Sequence, residues 1–388
     1  MLLPSTFLTI SLFLFFFLSL SHPTNSLTTI GVTFSPSTAT TTANSTHRLH
    51  PPDSVAKAID SLKLTAVRLE DSDPNVVRAF AYTNITLLLT IPNSMVAPIA
   101  ANRSAALQWL YIHVVPFYPR TIITTISVGN NFLEASPDLT TLLLPAIRNV
   151  YTALRNLGIR QISVSTTFSF VSIMANPFPP SAARFQDPVS DDVIRPLLQF
   201  LRDTNSSFLI NIYPYNLYRL NSEIPIAYAL FQNHPFNFRD DVVTGVRYRN
   251  LFDSMIDAVI SAMAVAGHEN VPLIVTETGW PSFGTDPSEV EANPAYAEMY
   301  LKGLVAHLKS GFGTPLRREG VMQTYIYQLF DGEEEQGARP VRKWGLLYPN
   351  MTKKYDVVFS KSARIGEQRA ILTIAAWCFG VFALTKLW

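Results

Sequence analysis

The chain has 388 residues, with 30 Lys and Arg against 29 Asp and Glu and a formal net charge of +1, so its composition argues against a polyanion or nucleic-acid partner. Hydrophobic residues make up 48% and charged residues 15%, which excludes bulk disorder and leaves enough apolar side chain for a large core. The single cysteine, Cys378, excludes an intramolecular disulfide and any cysteine-cluster metal or iron–sulfur centre.

Residues 1–26 read as a secretory signal peptide, with an apolar run from Phe7 through Leu20 followed by small and polar residues up to Ser26. Five Asn-x-Ser/Thr sequons, at Asn44, Asn84, Asn102, Asn205 and Asn350, fit a chain that enters the secretory pathway and is glycosylated there. Residues 27–362 read as one domain, since no linker or solenoid repeat divides them. In it, short β-branched runs alternate with helical patterns, which predicts βα units around a parallel sheet. The predicted strands are Ile30–Phe34, Ala66–Glu70, Thr86–Ile91, Ile122–Val128, Gln161–Thr166, Phe208–Ile212, Leu273–Thr276 and Thr324–Leu329. Eight such strands predict an α/β fold of the (β/α)8 TIM-barrel type. Helical patterns cover Ser54–Leu62, Leu142–Leu157, Asp191–Leu201, Leu251–Ala264 and Tyr296–Lys309, and an aromatic-rich insertion, Tyr213 to Arg249, follows the sixth strand. Residues 363–388 form a hydrophobic tail: Ser360, Ser362 and Ala363 precede a polar spacer, Arg364–Arg369, and an apolar stretch, Ala370–Leu384. That order predicts a lipid-anchor signal or a membrane segment, which places the protein at the outer face of the plasma membrane or in the cell wall.

In a (β/α)8 barrel the chemistry sits where strands end. The fourth strand leads into Val128-Gly129-Asn130-Asn131, the sixth into Asn211-Ile212-Tyr213-Pro214-Tyr215, and the seventh into Thr276-Glu277-Thr278-Gly279-Trp280-Pro281. A carboxylate beside Gly-Trp-Pro combines a charge with a large aromatic surface, as a sugar-processing site requires. No Gly-x-Gly-x-x-Gly, Walker or Gly-x-Ser-x-Gly pattern is present, so nucleotide binding and serine hydrolysis have no support. The histidines are scattered; the closest pair, His47 and His50, lies in a polar segment without acidic neighbours and reads as surface. No cofactor or metal is expected.

From about Ile30 to about Asp356 the sequence resembles the plant β-1,3-glucanases of glycoside hydrolase family 17. The resemblance rests on Val67-Arg68-Leu69, Ile91-Pro92-Asn93, Val128-Gly129-Asn130, Asn211 to Tyr215, Asn250-Leu251-Phe252-Asp253, Glu277 to Ser282, Gly313-Thr314-Pro315 and Gly345-Leu346, in family order. It implies a (β/α)8 barrel acting on β-1,3-linked glucan with retention of configuration and no metal. It also implies that Glu277, in Glu-Thr-Gly-Trp-Pro-Ser, is the nucleophile.

A retaining glycosidase needs two carboxyl groups about 5–5.5 Å apart, a nucleophile and an acid that then serves as base. The family acid should follow Val-Gly-Asn, where this chain has Asn131, and an amide cannot cycle a proton. Other departures lie in the same mouth. Glu70 stands where the family usually has Tyr, and Gly332 and Val341 stand where it has Glu. New carboxylates are Glu70, Glu134 and Glu333-Glu334-Glu335. Two functional classes fit these residues. One is a glucan hydrolase or transglycosylase with Glu277 as nucleophile and a relocated acid, Glu70 first and the Glu333–Glu335 run second. The other is a glucan-binding cell-wall protein that has kept the cleft and lost turnover, with Asn130, Tyr213, Tyr215 and Trp280 holding sugar rings.

Overall fold

A computed structural model describes residues 28–35, 50–332 and 340–359. Eight parallel strands close a barrel in sequential order: β1 (Thr29–Phe34), β2 (Ala66–Leu69), β3 (Thr86–Ile91), β4 (Ile122–Asn130), β5 (Ser163–Ser169), β6 (Phe208–Asn211), β7 (Leu273–Thr278) and β8 (Gln323–Tyr327). The eight β-branched runs are therefore the eight barrel strands, and the predicted (β/α)8 fold is the one observed. Both expected termini, the 1–26 leader and the 363–388 tail, lie outside the described residues, as do Asn44, His47 and the Glu333–Glu335 run. Among the described residues no helix is long and apolar enough to cross a membrane.

The barrel interior is filled because side chains alternate along each strand. Ala66, Leu88, Leu209, Ile274 and Tyr325 form a small apolar cluster separate from the main core. Gly31 lies in register with Tyr325; a Cβ there would come 2.6 Å from the Tyr325 ring, so glycine leaves the space that the phenol fills. Outside the barrel, helices bury one stripe against the strands. Leu143–Asn156 buries Leu143, Ala146, Ile147, Val150, Ala153 and Leu154, a 3–4 spacing in which each large side chain contributes about 1.5–3 kcal/mol. Helix ends follow local chemistry: Asn250 accepts from the Asp253 amide (2.7 Å) and Asn293 from that of Tyr296 (3.0 Å). Gly311, left-handed at φ 70°, stops the helix Pro294–Ser310.

Two expectations shift. The helix expected from Asp191 opens as a π-helical turn, Ser190–Ile194, and becomes α-helical only over Arg195–Asp203, because Pro196 has no amide proton for the preceding turn. The 213–249 insertion is partly ordered into helices Pro214–Leu220 and Ile226–Ala229 and a hairpin pairing Arg239–Asp240 with Arg247–Tyr248. His50 is half-buried, its ring stacked 3.9 Å from that of Phe330, so it packs rather than standing at the surface.

Residues 340–359 pair with the chain just past β8. Leu347 bridges Phe330 and Lys353, and Lys354 Nζ donates to Asp331 (2.8 and 3.0 Å) and Ser282 (2.7 Å) with both charged side chains buried. Asp331 also accepts from the Gly345 amide at 2.8 Å. Asp331→Ala orphans a buried ammonium and should lower stability by about 3–5 kcal/mol in urea unfolding. A loss under about 1 kcal/mol would show that the pair behaves as a solvated surface bridge.

Candidate active site

Strict alternation along β7 would place Glu277 with Leu273 and Val275, on the side facing the helices, where both belong to the outer core. The observed register prevents that. Ile210 pairs with Val275 but Asn211 with Glu277, and on the other side Thr324 pairs with Val275 but Ile326 with Thr278. One extra residue on β7 relative to both neighbours is a β-bulge, and it turns Glu277 into the mouth. β4 does the same: Ser127 pairs with Ser165 but Asn130 with Thr167, and Gly129 takes φ +80°. Asn93 then clamps the turn, accepting from the Asn130 amide and donating to its carbonyl, both at 2.9 Å.

These bulges converge on one carboxylate. Glu277 Oε1 accepts from Arg68 Nη1 and from Asn130 Nδ2 (3.1 Å), and Oε2 accepts from the Tyr213 hydroxyl (2.6 Å). Arg68 is wholly buried; burial opposes its charge, but Glu277 and Glu70 more than restore it. Tyr213 is held protonated, well above its ordinary range, by burial and by the Glu277 charge. Asn211 donates to both Asn130 Oδ1 (3.1 Å) and Asn131 Oδ1 (3.2 Å) while accepting from Thr276 Oγ1 (2.8 Å), so an amide network fixes the floor.

Glu70 joins the same cluster. Its Oε1 accepts from Asn130 Nδ2 at 3.3 Å and lies 3.7 Å from Arg68 Nη1, with the side chain 21% exposed. Burial first, then the Glu277 charge, push its carboxyl up to about 7 against the pull of Arg68. A carboxylic acid that still holds its proton near neutrality beside a second carboxylate is the environment that separates acid from nucleophile. Asn131 sits at the same rim in a left-handed conformation, φ 49°, with its amide on Asn211. Glu134 is exposed on the short helix that follows.

Two expected sugar platforms require correction. Tyr215 is fully buried and donates to Glu289 Oε2 at 2.6 Å; Trp280 is 2% exposed and donates through Nε1 to the Glu291 carbonyl at 2.8 Å. Their rings pack edge to face on each other, centroids 5.0 Å apart, so they support the mouth from beneath rather than stack on ligand. Glu289 anchors Tyr215: burial would raise its carboxyl, but hydrogen bonds from Arg342, Tyr215 and Thr285 hold it down at about 2. Aromatic surface in the mouth comes instead from Tyr213, Tyr327 and Trp344, whose rings meet at 5.2–6.1 Å. Trp344 packs against Gly279, where a Cβ would lie 2.6 Å from the Tyr327 carbonyl oxygen and 3.3 Å from the indole. Sequence reasoning did not select Tyr327, Trp344, Asn93 or Arg68 as site residues. Arg68 did carry a signal, a charge between the apolar Val67 and Leu69 and in step with Ala66 of the barrel interior. Among the described residues no three His, Cys, Asp or Glu side chains converge as metal ligands.

A family model described as glycosyl hydrolases family 17 matches residues 45–359. The chain is 37% identical over 314 residues to glucan endo-1,3-beta-glucosidase 12 of Arabidopsis thaliana, covering 80% of this chain and 58% of that protein. It is 35% identical over 306 residues to the probable glucan endo-1,3-beta-glucosidase A6 of the same plant, covering 78% and 63%. It thus spans less than two thirds of the length of either relative. In three dimensions it is similar to CJP38, a beta-1,3-glucanase and allergen of Cryptomeria japonica pollen, with a TM-score of 0.78, 34% identity, and coverage of 86% of this chain and 100% of that one. One of two plant beta-glucan endohydrolases with distinct substrate specificities aligns with a TM-score of 0.74 at 32% identity, over 85% and 100%. With the closed barrel and the carboxylate presented at the end of its seventh strand, this match over most of the described residues settles the family: the chain belongs to glycosyl hydrolases family 17.

Proposed function

We propose that this protein is a β-1,3-glucan hydrolase that acts with retention, using Glu277 as nucleophile and Glu70 as proton donor. The observation that carries the proposal is the pairing of the two carboxyls, one clamped by Arg68, Asn130 and Tyr213 and the other raised to about 7. In the first step a Glu277 oxygen attacks the anomeric carbon while Glu70 gives its proton to the departing glycosidic oxygen, leaving a glycosyl ester on Glu277. In the second, Glu70, now a carboxylate, takes a proton from water; the oxygen of that water attacks the same carbon and frees Glu277. Asn130 touches both carboxyls and orients them, and Tyr213, Tyr327 and Trp344 supply ring faces for sugar. The glucan comes from the relatives, which are named as β-1,3-glucosidases and β-1,3-glucanases.

The protein is exported and held at the outer face of the plasma membrane or in the wall. Supporting this are the apolar leader, the apolar tail, and the exposure of all four described sequon asparagines, Asn84, Asn102, Asn205 and Asn350.

Asn131 favours a second reading, a glucan-binding protein without turnover, because its amide, bound to Asn211, occupies the place where the resemblance puts the acid. One experiment separates the two. The secreted protein is incubated with linear β-1,3-glucan, reducing ends are counted, and the anomer of the first product is followed by proton NMR. Release of the β-anomer is expected. The α-anomer would overturn retention, and binding without release would establish the second reading.

A further inference from the structure

The sequon at Asn350 sits in a turn shaped to seat its own sugar. Tyr348-Pro349-Asn350-Met351-Thr352 forms a five-residue loop in which the Tyr348 amide donates to the Thr352 carbonyl and the Met351 amide to the Tyr348 carbonyl, both at 2.9 Å. Pro349 fits the first central position of a type I turn, and Met351, at φ 67°, is the left-handed residue that follows such a turn in a bulged hairpin. Leu347 and Lys353 pair antiparallel just outside it. Tyr348 and Thr352 are therefore a cross-strand pair with side chains on one face, and Asn350 stands between them at the tip.

The side chains are already committed in a particular sense. Asn350 Oδ1 accepts from the Thr352 amide (3.1 Å) and hydroxyl (2.6 Å), which turns Nδ2 outward. The Tyr348 ring has Lys354 Nζ 5.6 Å from its centroid, an ammonium itself fixed on Asp331, and is 46% exposed. An exposed aromatic ring two residues before an exposed sequon asparagine, with the amide oxygen tied down, leaves one direction for a substituent and an apolar surface beside it.

We infer that Asn350 carries an N-linked glycan whose first N-acetylglucosamine packs on the open face of Tyr348. The inference rests on the export reading. In the transfer, Asn350 Nδ2 loses a proton and bonds the anomeric carbon of the sugar, whose bond to the diphosphate of a lipid-linked oligosaccharide breaks. The C–H face of the sugar then covers ring surface that otherwise meets water, which adds stability of the aromatic-contact kind. Two residues before Asn205 stands Asp203 and two before Asn102 stands Ala100, so neither has a ring at that offset and both serve as controls.

The full chain, secreted from a eukaryotic host, is analysed by peptide mass spectrometry and thermal unfolding. Asn350 is expected to be occupied, and trimming its glycan to one N-acetylglucosamine should leave the unfolding midpoint unchanged. Asn350→Gln should lower that midpoint by about 2–3 °C, and should lower it by nothing once Tyr348→Ala is present. Tyr348→Phe keeps the ring and should keep the full effect, which covers the case in which the alanine variant does not fold. Equal losses on the Tyr348 and Tyr348→Phe backgrounds with the same loss on Tyr348→Ala would overturn the seat. A bare Asn350 beside an occupied Asn205 would overturn the site alone. Five bare sequons would overturn export and the site together.

Discussion

Glu277→Gln is expected to lower kcat on linear β-1,3-glucan by about 10⁴-fold or more, as removal of a covalent nucleophile does, with binding changed only a few-fold. The substitution keeps the shape of the side chain and removes the charge that Arg68, Asn130 and Tyr213 now share. Leaving Arg68 wholly without a partner would cost about 3–5 kcal/mol. Glu70, 3.7 Å from the same guanidinium nitrogen, takes over as counter-ion, so the measured loss in urea unfolding should be smaller. The same change should bring the Glu70 carboxyl down, because the Glu277 charge that raises it is gone and Arg68 remains. A readout specific to the nucleophile comes from Glu277→Ala with an aryl β-glucoside and added azide. Azide entering the vacated space should give the α-glucosyl azide. Wild-type-like turnover in Glu277→Gln, or no azide adduct in Glu277→Ala, would remove Glu277 from the nucleophile's role.

Glu70→Gln should lower kcat by about 10²–10⁴-fold on glucan, the range for loss of a general acid, and far less on an aryl glucoside whose leaving group departs without a proton. It should also remove the alkaline limb of the pH profile. In the native protein activity should fall as pH rises through about 7, where the Glu70 carboxyl loses its proton; the observed midpoint belongs to the Glu70–Glu277 pair. Stability carries the same sign. Glu70 is raised from 4.5 to about 7 by folding, so between those values the folded state holds a proton that the unfolded chain has released, and stability falls as pH rises across that window. The variant lacks this fall, so its midpoint relative to wild type should rise between pH 4 and pH 8. A pH-independent difference in stability, with unchanged kcat on glucan, would return Glu70 to a structural ion pair with Arg68.

Much of this protein is legible in one dimension. β-branched runs of four to nine residues define the barrel strands because parallel strands covered on both faces need apolar side chains on both sides. Helix limits follow from asparagine caps, a left-handed glycine and proline, all local effects. Glu277 was legible by its company, Gly-Trp-Pro at a strand end, and Glu70 as a strand-end carboxylate standing where the resembled family has Tyr. The surface position of the sequons follows from their polar settings.

Other properties needed the closed barrel. Period-2 alternation turns Glu277 to the helices, and only the register imposed by β6 and β8 inserts the extra residue that points it into the mouth. Tyr215 and Trp280 read as platforms because an aromatic at a strand end is the same letter whether it faces ligand or core. Glu289 and the Glu291 carbonyl, more than 70 residues from Tyr215 and 11 from Trp280, decided for the core. Trp344 enters the mouth from the far C-terminal segment and packs against Gly279. The sequence by itself determined which elements form and which residue types are on hand, since propensity, capping and periodicity act over a few residues. The tertiary structure alone decided which side chains share one site and which carboxyl keeps its proton, because burial and Coulomb interactions depend on distance in space and not along the chain.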